Sequence, residues 1–188
     1  MLNKSEFNQI RKEMHNTDLK REEVIQLSRE IITVSKQIIY AAQRNDLKTA
    51  TSAIKNIKNK VNKLKKININ TDTNINSVAL QEYVEAMAFY EFVKNKKIPT
   101  KKSLGVTAED YLSGLADLTG ELVRKAVYDV IHKKFREAEK IKELVHDIYG
   151  EFLKLHLRNN ELRKKADSIK WNLKKLEEVM YDISMKGH

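Results

Sequence analysis

Helix-breaking residues are scarce in this sequence, which has 5 glycines and a single proline (Pro99) among 188 residues. With so few of them, tight turns and strands have little to form on, whereas long helices can run uninterrupted. Apolar residues make up 41% of the chain and charged residues 33%. The length suits one domain with a hydrophobic core. We therefore predict an all-α protein in which residues 1–188 form a single domain.

Cysteine is absent, which excludes disulfides, thiolate catalysis and zinc sites with cysteine ligands. The sequence also lacks any apolar run of membrane-spanning length, and its first residues lack the apolar core of a signal peptide. We therefore expect a cytoplasmic protein that does not act in a membrane. The five histidines are scattered without ligand spacing, so we assign them no chemistry.

Acidic residues are outnumbered by basic ones, 26 against 36, which gives a net charge of +10. Such an excess favours polyanionic partners, namely RNA, DNA or an anionic membrane surface. A lysine-rich surface that serves only solubility would carry the same charge, so the charge alone does not identify a partner.

Hydrophobic periodicity predicts an antiparallel bundle of about six to seven helices. The predicted helices span residues 2–15, 18–44, 46–66, 77–94, 107–132, 134–156 and 160–188. Asp18, Asp46 and Thr107 are expected to cap the second, third and fifth of them. The Asn- and Thr-rich segment 68–76 and the basic segment 95–105 are predicted linkers.

Apolar residues at helical spacing mark the faces that we expect to be buried. They are Val24, Leu27, Ile31, Val34, Ile38 and Ala42, followed by Ile54, Ile57, Val61 and Leu64. For Trp171, the only tryptophan, we predict packing in the core or at a subunit interface rather than base stacking.

The segment 78–93 (VALQEYVEAMAFYEFV) is apolar almost all round, with Gln81, Glu82, Glu85 and Glu91 as its strongly polar residues. A helix of this composition is normally buried. Glu82 and Glu85 are three residues apart, so their carboxylates lie on neighbouring parts of one face. Two like charges in apolar surroundings are costly unless a cation pairs with them. That cation is either a metal ion or a nearby Arg or Lys, and the pattern does not decide between them.

Asp117 and Glu121 are four residues apart and project together from the next long helix. The small residues Ser113 and Gly114 on the same side leave room for a close neighbour, so the two helices can lie side by side and four carboxylates can converge. Hard divalent cations such as Mg²⁺ prefer oxygen ligands, and bound ions can activate water beside a scissile phosphate. The alternative is a solvated face on which Arg124 is an ion-pair partner.

Four segments, in this order along the chain, resemble the translin/TRAX family. Leu27–Lys36 (LSREIITVSK) is similar to the long second helix of TRAX, and Leu80–Ala86 (LQEYVEA) to the acidic helix of the family. Tyr111–Leu122 (YLSGLADLTGEL) resembles the TRAX helix that contains DLTGE, and Leu162–Gly187 resembles the C-terminal helix of translin. The resemblance covers most of the chain.

The resemblance implies a translin-like helical fold, assembly into a hollow homo-oligomer, commonly an octamer, and binding of RNA or single-stranded DNA. It implies that Glu82, Glu85, Asp117 and Glu121 are catalytic and hold Mg²⁺, or Mn²⁺, in an endoribonuclease for single-stranded or small structured RNA. Translin-type subunits lack the aspartate of DLTGE, whereas this chain has all four acids. The mixture of TRAX-like and translin-like segments suits an archaeal relative. The alternative is a translin-type protein that binds single-stranded DNA or RNA without cleaving it.

Basic residues on two predicted helices are candidates for contacts with nucleic acid. Arg29, Lys36 and Arg44 follow one another along one helix at intervals of seven and eight, and Lys58 belongs to a lysine-rich helix. Contacts with phosphates would make binding depend on salt. Pairing of the first three with the buried acids, and a plain exposed face, are alternatives. The helix of Lys58 also has an apolar seam that favours packing, which is compatible with a basic outer face.

Overall fold

The computed structural model describes residues 2–67, 74–158 and 161–185, and these contain seven helices and no strand. The helices are α1 (Lys4–Gln43), α2 (Leu47–Lys66), α3 (Ile75–Asn95), α4 (Lys101–Leu104), α5 (Ala108–Ile131), α6 (Phe135–Leu153) and α7 (Glu161–Met185). The predicted all-α bundle is confirmed. Within the described ranges, every helix is too short or too polar to cross a membrane.

One hydrophobic core joins the long helices. Helix α1 packs against α2 and α3, α3 packs against α5, and α5 in turn contacts α6 and α7. The two predicted apolar faces are confirmed, because all ten of their side chains are buried except Leu27, which is half-buried and packs at the edge of the core. Helices α3 and α5, which carry the four acids, therefore lie side by side in the middle of the bundle.

The predicted break between residues 15 and 18 is wrong, because α1 runs through it without interruption. The Asn3 side chain caps the helix instead, accepting hydrogen bonds from the backbone N–H groups of Ser5 at 3.1 Å and Glu6 at 3.3 Å. At the expected break, the Thr17 hydroxyl donates to the Glu13 carbonyl at 2.9 Å, within the helix. A residue that can cap, such as Asp18, does not end a helix unless the chain also turns there.

The other predicted boundaries are mostly confirmed. The Asp46 side chain caps α2 by accepting from the Thr49 N–H at 3.1 Å, and Thr107 caps α5 by accepting from the Asp110 N–H at 3.1 Å. The predicted linker 95–105 is partly wrong, because it contains the short helix α4, and the helix predicted to end at 156 ends at Leu153. Most of the predicted loop 68–76 and the predicted start of the last helix at residue 160 lie outside the described residues.

A close approach between α3 and α5 depends on Gly114. A Cβ atom at this position would lie 2.6 Å from both the Gln81 carbonyl oxygen and the Val84 Cβ, well inside contact distance. The small residue therefore sets the spacing of the two helices that carry the acids, as the sequence predicted.

Replacing Gly114 with Ala is expected to lower the free energy of unfolding by about 1–3 kcal/mol, because two backbones must move apart. Gly120→Ala on the same helix is the matched control, since its Cβ would meet nothing closer than the Asn172 amide at 3.9 Å. That control is expected to gain about 0.5–1 kcal/mol in helix propensity. Urea denaturation compares the two variants, and equal stability would show that the close approach does not constrain the fold.

Candidate functional site

Helices α3 and α5 bring four carboxylates into one region of the bundle. Glu82 and Glu85 belong to α3, and Asp117 and Glu121 to α5; the charges of both α5 acids raise the pKa values of both α3 acids. An open cleft of about 490 Å³ is lined by three of these acids, and Asp117 lies outside its lining. The cleft is lined by Glu82, Glu85, Glu121, Lys36, Ile39, Tyr40 and Arg124. We call it the acidic cleft.

Glu85 is the most strongly perturbed of the four acids. Its residue is 9% exposed, and burial, together with the charges of Glu82, Asp117 and Glu121, raises its pKa to about 8. Lys165 acts in the opposite direction but does not offset them. In the absence of a bound cation, the Glu85 carboxyl is therefore protonated at neutral pH.

Glu82 is half-buried, and its pKa is raised by burial, against which the positive charge of Lys36 acts as the largest opposing influence. Among the described residues, neither Glu82 nor Glu85 has a hydrogen-bond donor or an ion-pair partner. A buried salt bridge, one of the two ways in which these acids were expected to be neutralised, is thus not formed. Burial without a partner is costly for a carboxylate.

Asp117 is held by a lysine from the last helix. The Lys165 ammonium donates to Asp117 Oδ2 and, at 2.9 Å, to the Gln81 Oε1 atom. Lys165 therefore connects α7 with both acid-bearing helices and places a positive charge among the acids. Because Asp117 and Lys165 are only about one-third exposed, solvent screens this pair incompletely.

Glu121 contacts one residue of α1 and one residue of its own helix. Its Oε2 atom accepts from the Gln43 amide at 3.0 Å, and the same amide donates to the Glu121 backbone carbonyl at 2.9 Å. The Arg124 guanidinium donates to both carboxylate oxygens at 3.1 and 3.0 Å. The predicted ion pair between Glu121 and Arg124 is therefore confirmed.

The chemistry of this donor set fits a hard divalent cation, because the four acids supply only oxygen and two of them lack a protein partner. No three His, Asp or Glu side chains within the described ranges are placed to ligate one ion, however. Two of the four acids already have partners: Asp117 accepts from Lys165, and Glu121 accepts from Gln43 and Arg124. Binding of an ion by all four acids would require these two to exchange their partners.

The four basic residues predicted to contact nucleic acid are all exposed, but they do not share one site. Lys36 lines the acidic cleft, whereas Arg29 and Lys58 do not. Arg44 lies just beyond it, where its guanidinium donates to the Tyr40 hydroxyl at 2.9 Å. Whether these side chains bind nucleic acid stays a prediction.

Sequence reasoning missed three residues that contact the acids or line the cleft beside them, Tyr40, Gln43 and Lys165. Tyr40 had a signal, because Lys36, Tyr40 and Arg44 follow one another at intervals of four and so share a helix face. Lys165 had none, because its partner Asp117 is 48 residues away. Trp171, at 65% exposure, is not in the core, and its role at a subunit interface stays a prediction.

Comparison with known proteins relates most of the bundle to one family. The Translin family profile matches residues 19–187. Chicken Translin is 33% identical over 122 residues, which cover 57% of this chain and 53% of that protein, so the chain spans about half the length of the curated translins it matches. An uncharacterised protein of Methanocaldococcus jannaschii is 32% identical, with 86% of this chain and 75% of that protein covered. Mouse Translin-associated protein X is 24% identical, at 96% and 78% coverage.

Two solved structures are similar in fold. The crystal structure of apo-NeC3PO superposes with a TM-score of 0.88 at 30% identity, covering 96% of this chain and 97% of that one. A structure of AfC3PO in complex with duplex RNA gives a TM-score of 0.86 at 23% identity, with 97% and 98% covered. The resemblance found in the sequence is thus confirmed by independent comparisons of sequence and of structure.

Proposed function

The chain belongs to the translin family, and we propose that it is a metal-dependent endoribonuclease acting at the acidic cleft. The proposed substrate is single-stranded or small structured RNA, and the proposed cofactor is Mg²⁺ or Mn²⁺. One observation carries the proposal: Glu85 is buried and Glu82 half-buried, neither has a hydrogen-bond or ion-pair partner among the described residues, and two further acids lie nearby on α5. Such an arrangement is costly unless a cation joins it.

Glu82, Glu85, Asp117 and Glu121 are the residues that would hold the ion. When bound, an ion of this kind activates water and stabilises the charge that develops on a scissile phosphate. Glu85 would release its proton as the cation takes the proton's place, because ligands bind metals in their deprotonated form. The raised pKa of Glu85 therefore supports the proposal without excluding a carboxylate ligand.

The cations of the chain would orient the RNA. Lys36 and Arg124 line the acidic cleft, where their charges attract phosphate and partly offset the repulsion between phosphate and the acids. Lys165 would act as a positioning residue, since it holds Asp117 near the other acids before the ion binds. These positive groups explain how an acidic cleft can accept an anionic substrate.

A translin-type protein that binds single-stranded DNA or RNA without cleaving it is the second candidate. It is favoured by one observation, namely that Asp117 and Glu121 are already paired with Lys165 and Arg124. If those pairs persist in solution, the acids serve structure rather than catalysis, and the basic surface binds RNA alone.

We also propose that the chain assembles into a hollow homo-oligomer, an octamer by the family resemblance. Large apolar side chains on α7 support assembly, because Trp171, Tyr181 and Met185 are each more than 60% exposed. Burial of such groups stabilises an interface. Light scattering at micromolar subunit concentration is expected to show a stable oligomer, and a monomer would contradict this part of the proposal.

Cleavage of a labelled single-stranded RNA in Mg²⁺, and again after addition of EDTA, separates the candidates. The nuclease is expected to cleave only with the metal, whereas the second candidate binds the RNA intact under both conditions. Absence of both cleavage and binding would contradict both proposed functions.

Binding of RNA is expected to weaken steeply with salt. Contacts of three phosphates with Lys36, Arg44 and Arg124 would lower the affinity for single strands roughly 20-fold between 50 and 200 mM salt, because counterions are released. In a Lys36→Gln, Arg124→Gln variant, the slope of log affinity against log salt should fall by about 1.4. Fluorescence anisotropy measures both, with Lys58→Gln as a test of the predicted contact on α2. An unchanged slope in the double variant would show that RNA does not contact Lys36 and Arg124, and therefore does not bind at the acidic cleft.

A further inference from the structure

An exposed aromatic ring lies at the edge of the acidic cleft. Tyr40 is 60% exposed, yet it lines the same cleft as Glu82, Glu85 and Glu121. An exposed tyrosine presents a large apolar ring and a polar hydroxyl to a partner. The Tyr40 ring is therefore available to a molecule that enters the cleft beside the acids.

Three cations lie near Tyr40 in the sequence or in the acidic cleft. Lys36 precedes it by one helical turn and Arg44 follows it by one turn, while Arg124 reaches the cleft from α5. The Arg44 guanidinium donates to the Tyr40 hydroxyl at 2.9 Å, and its central carbon lies 5.4 Å from the ring centroid. The guanidinium therefore lies over the ring while it binds the hydroxyl, and Tyr40 is still 60% exposed to a further partner.

We infer that Tyr40 is a stacking platform for one unpaired base of single-stranded RNA, at the nucleotide next to the scissile phosphate. The inference rests on the proposed function and extends it to the choice of substrate. Base stacking on an aromatic ring needs an exposed ring face, and the phosphates on either side need cations. The group formed by Lys36, Tyr40, Arg44 and Arg124 supplies both within reach of the acids.

The ring selects single strands over duplexes for a simple physical reason. In a duplex, each base is already stacked on its neighbours and paired, so an A-form helix offers its backbone rather than its base faces. An unpaired base is free to stack on the protein. Tyr40 should therefore contribute to affinity for single strands and contribute little to affinity for duplex RNA.

The test uses a single-stranded RNA of about 12 nucleotides with one 2-aminopurine, whose fluorescence reports stacking, in EDTA so that the strand stays intact. Tyr40→Ala is expected to weaken binding about tenfold and to reduce the quenching of 2-aminopurine at saturation. Tyr40→Phe keeps the ring but loses the hydroxyl contact with Arg44, and should behave as wild type. Phe7→Ala removes an exposed aromatic ring from the same helix α1, at 43% exposure and outside the acidic cleft, and is the matched control.

Binding of the corresponding duplex is the second arm, and Tyr40→Ala should leave it unchanged within about twofold. Equal single-strand affinity and equal quenching in wild type and Tyr40→Ala would overturn the inference, while cleavage by the wild type would still uphold the proposed function. An equal loss for duplex and single strand would overturn it as well, because the ring would then not distinguish them. Loss of affinity in Tyr40→Phe would assign the effect to the hydroxyl contact and not to stacking.

Discussion

Asp117→Asn and Glu121→Gln are each expected to reduce metal-dependent cleavage of single-stranded RNA by on the order of 10²–10³-fold. Each change removes one negative oxygen ligand while keeping the shape of the side chain. Binding of RNA should be retained or become tighter, because a negative charge near the phosphates is lost. Asp117→Asn additionally leaves the Lys165 ammonium without its carboxylate partner, which adds to the attraction.

Cleavage rate and RNA affinity are measured separately for these variants. Glu109→Gln is the control, since Glu109 is an exposed acid on the same helix α5 and does not line the acidic cleft; it should leave both quantities unchanged. Wild-type cleavage in Asp117→Asn or Glu121→Gln would show that the α5 acids are structural. The second candidate, a protein that binds nucleic acid without cleaving it, would then be favoured.

Glu85→Gln is expected to stabilise the metal-free protein at high pH. The folded-state pKa of Glu85 is raised from 4.5 to about 8, so folded protein keeps a proton that the unfolded chain releases between these values. Stability therefore falls as the pH rises from about 4.5 to about 8 and stays reduced above that range. A gap of this size corresponds to at most roughly 5 kcal/mol, at 1.36 kcal/mol per pH unit. Because glutamine does not ionise, the Glu85→Gln variant does not lose stability in this way as the pH rises.

Urea denaturation in EDTA, at one fixed subunit concentration, measures the effect. Wild type and Glu85→Gln should be of similar stability near pH 4.5, and the variant should be more stable by on the order of 2–4 kcal/mol at pH 9. Glu109→Gln should follow the wild-type pH dependence, since its side chain is exposed. Parallel curves for wild type and Glu85→Gln would show that Glu85 is not held in an unfavourable charged state.

The sequence predicted the start of a helix well where a side chain caps it. Asp46 and Thr107 each accept the backbone N–H three residues ahead, and such contacts are encoded within a few residues of sequence. The continuous helix α1 was missed because Asp18 has the residue type of a cap but a helical neighbourhood. Residues 2–20 are all exposed, so no tertiary contact marks where this part of the helix should begin or end.

The acids could be predicted, but their environment could not. The apolar composition of α3 indicated that Glu82 and Glu85 are withdrawn from water, and the structure adds that Glu85 is the more buried of the two. Gln43 and Lys165 reach the acids from helices that are 78 and 48 residues away in sequence. Only the packing of α1 against α3 and of α7 against α5 brings them there, and no local pattern encodes that register.

The central claim is that the acids of α3 and α5 together hold a divalent ion, and a titration with Mn²⁺ tests it without knowledge of the natural RNA. Electron paramagnetic resonance of free Mn²⁺ measures binding to the 188-residue chain and to a Glu82→Gln, Asp117→Asn variant, which removes one carboxylate from each helix. We expect saturable binding by the wild type and a loss of affinity of at least about tenfold in the variant, because two charged ligands are gone. Equal Mn²⁺ binding by the two proteins, or none by the wild type, would contradict the account.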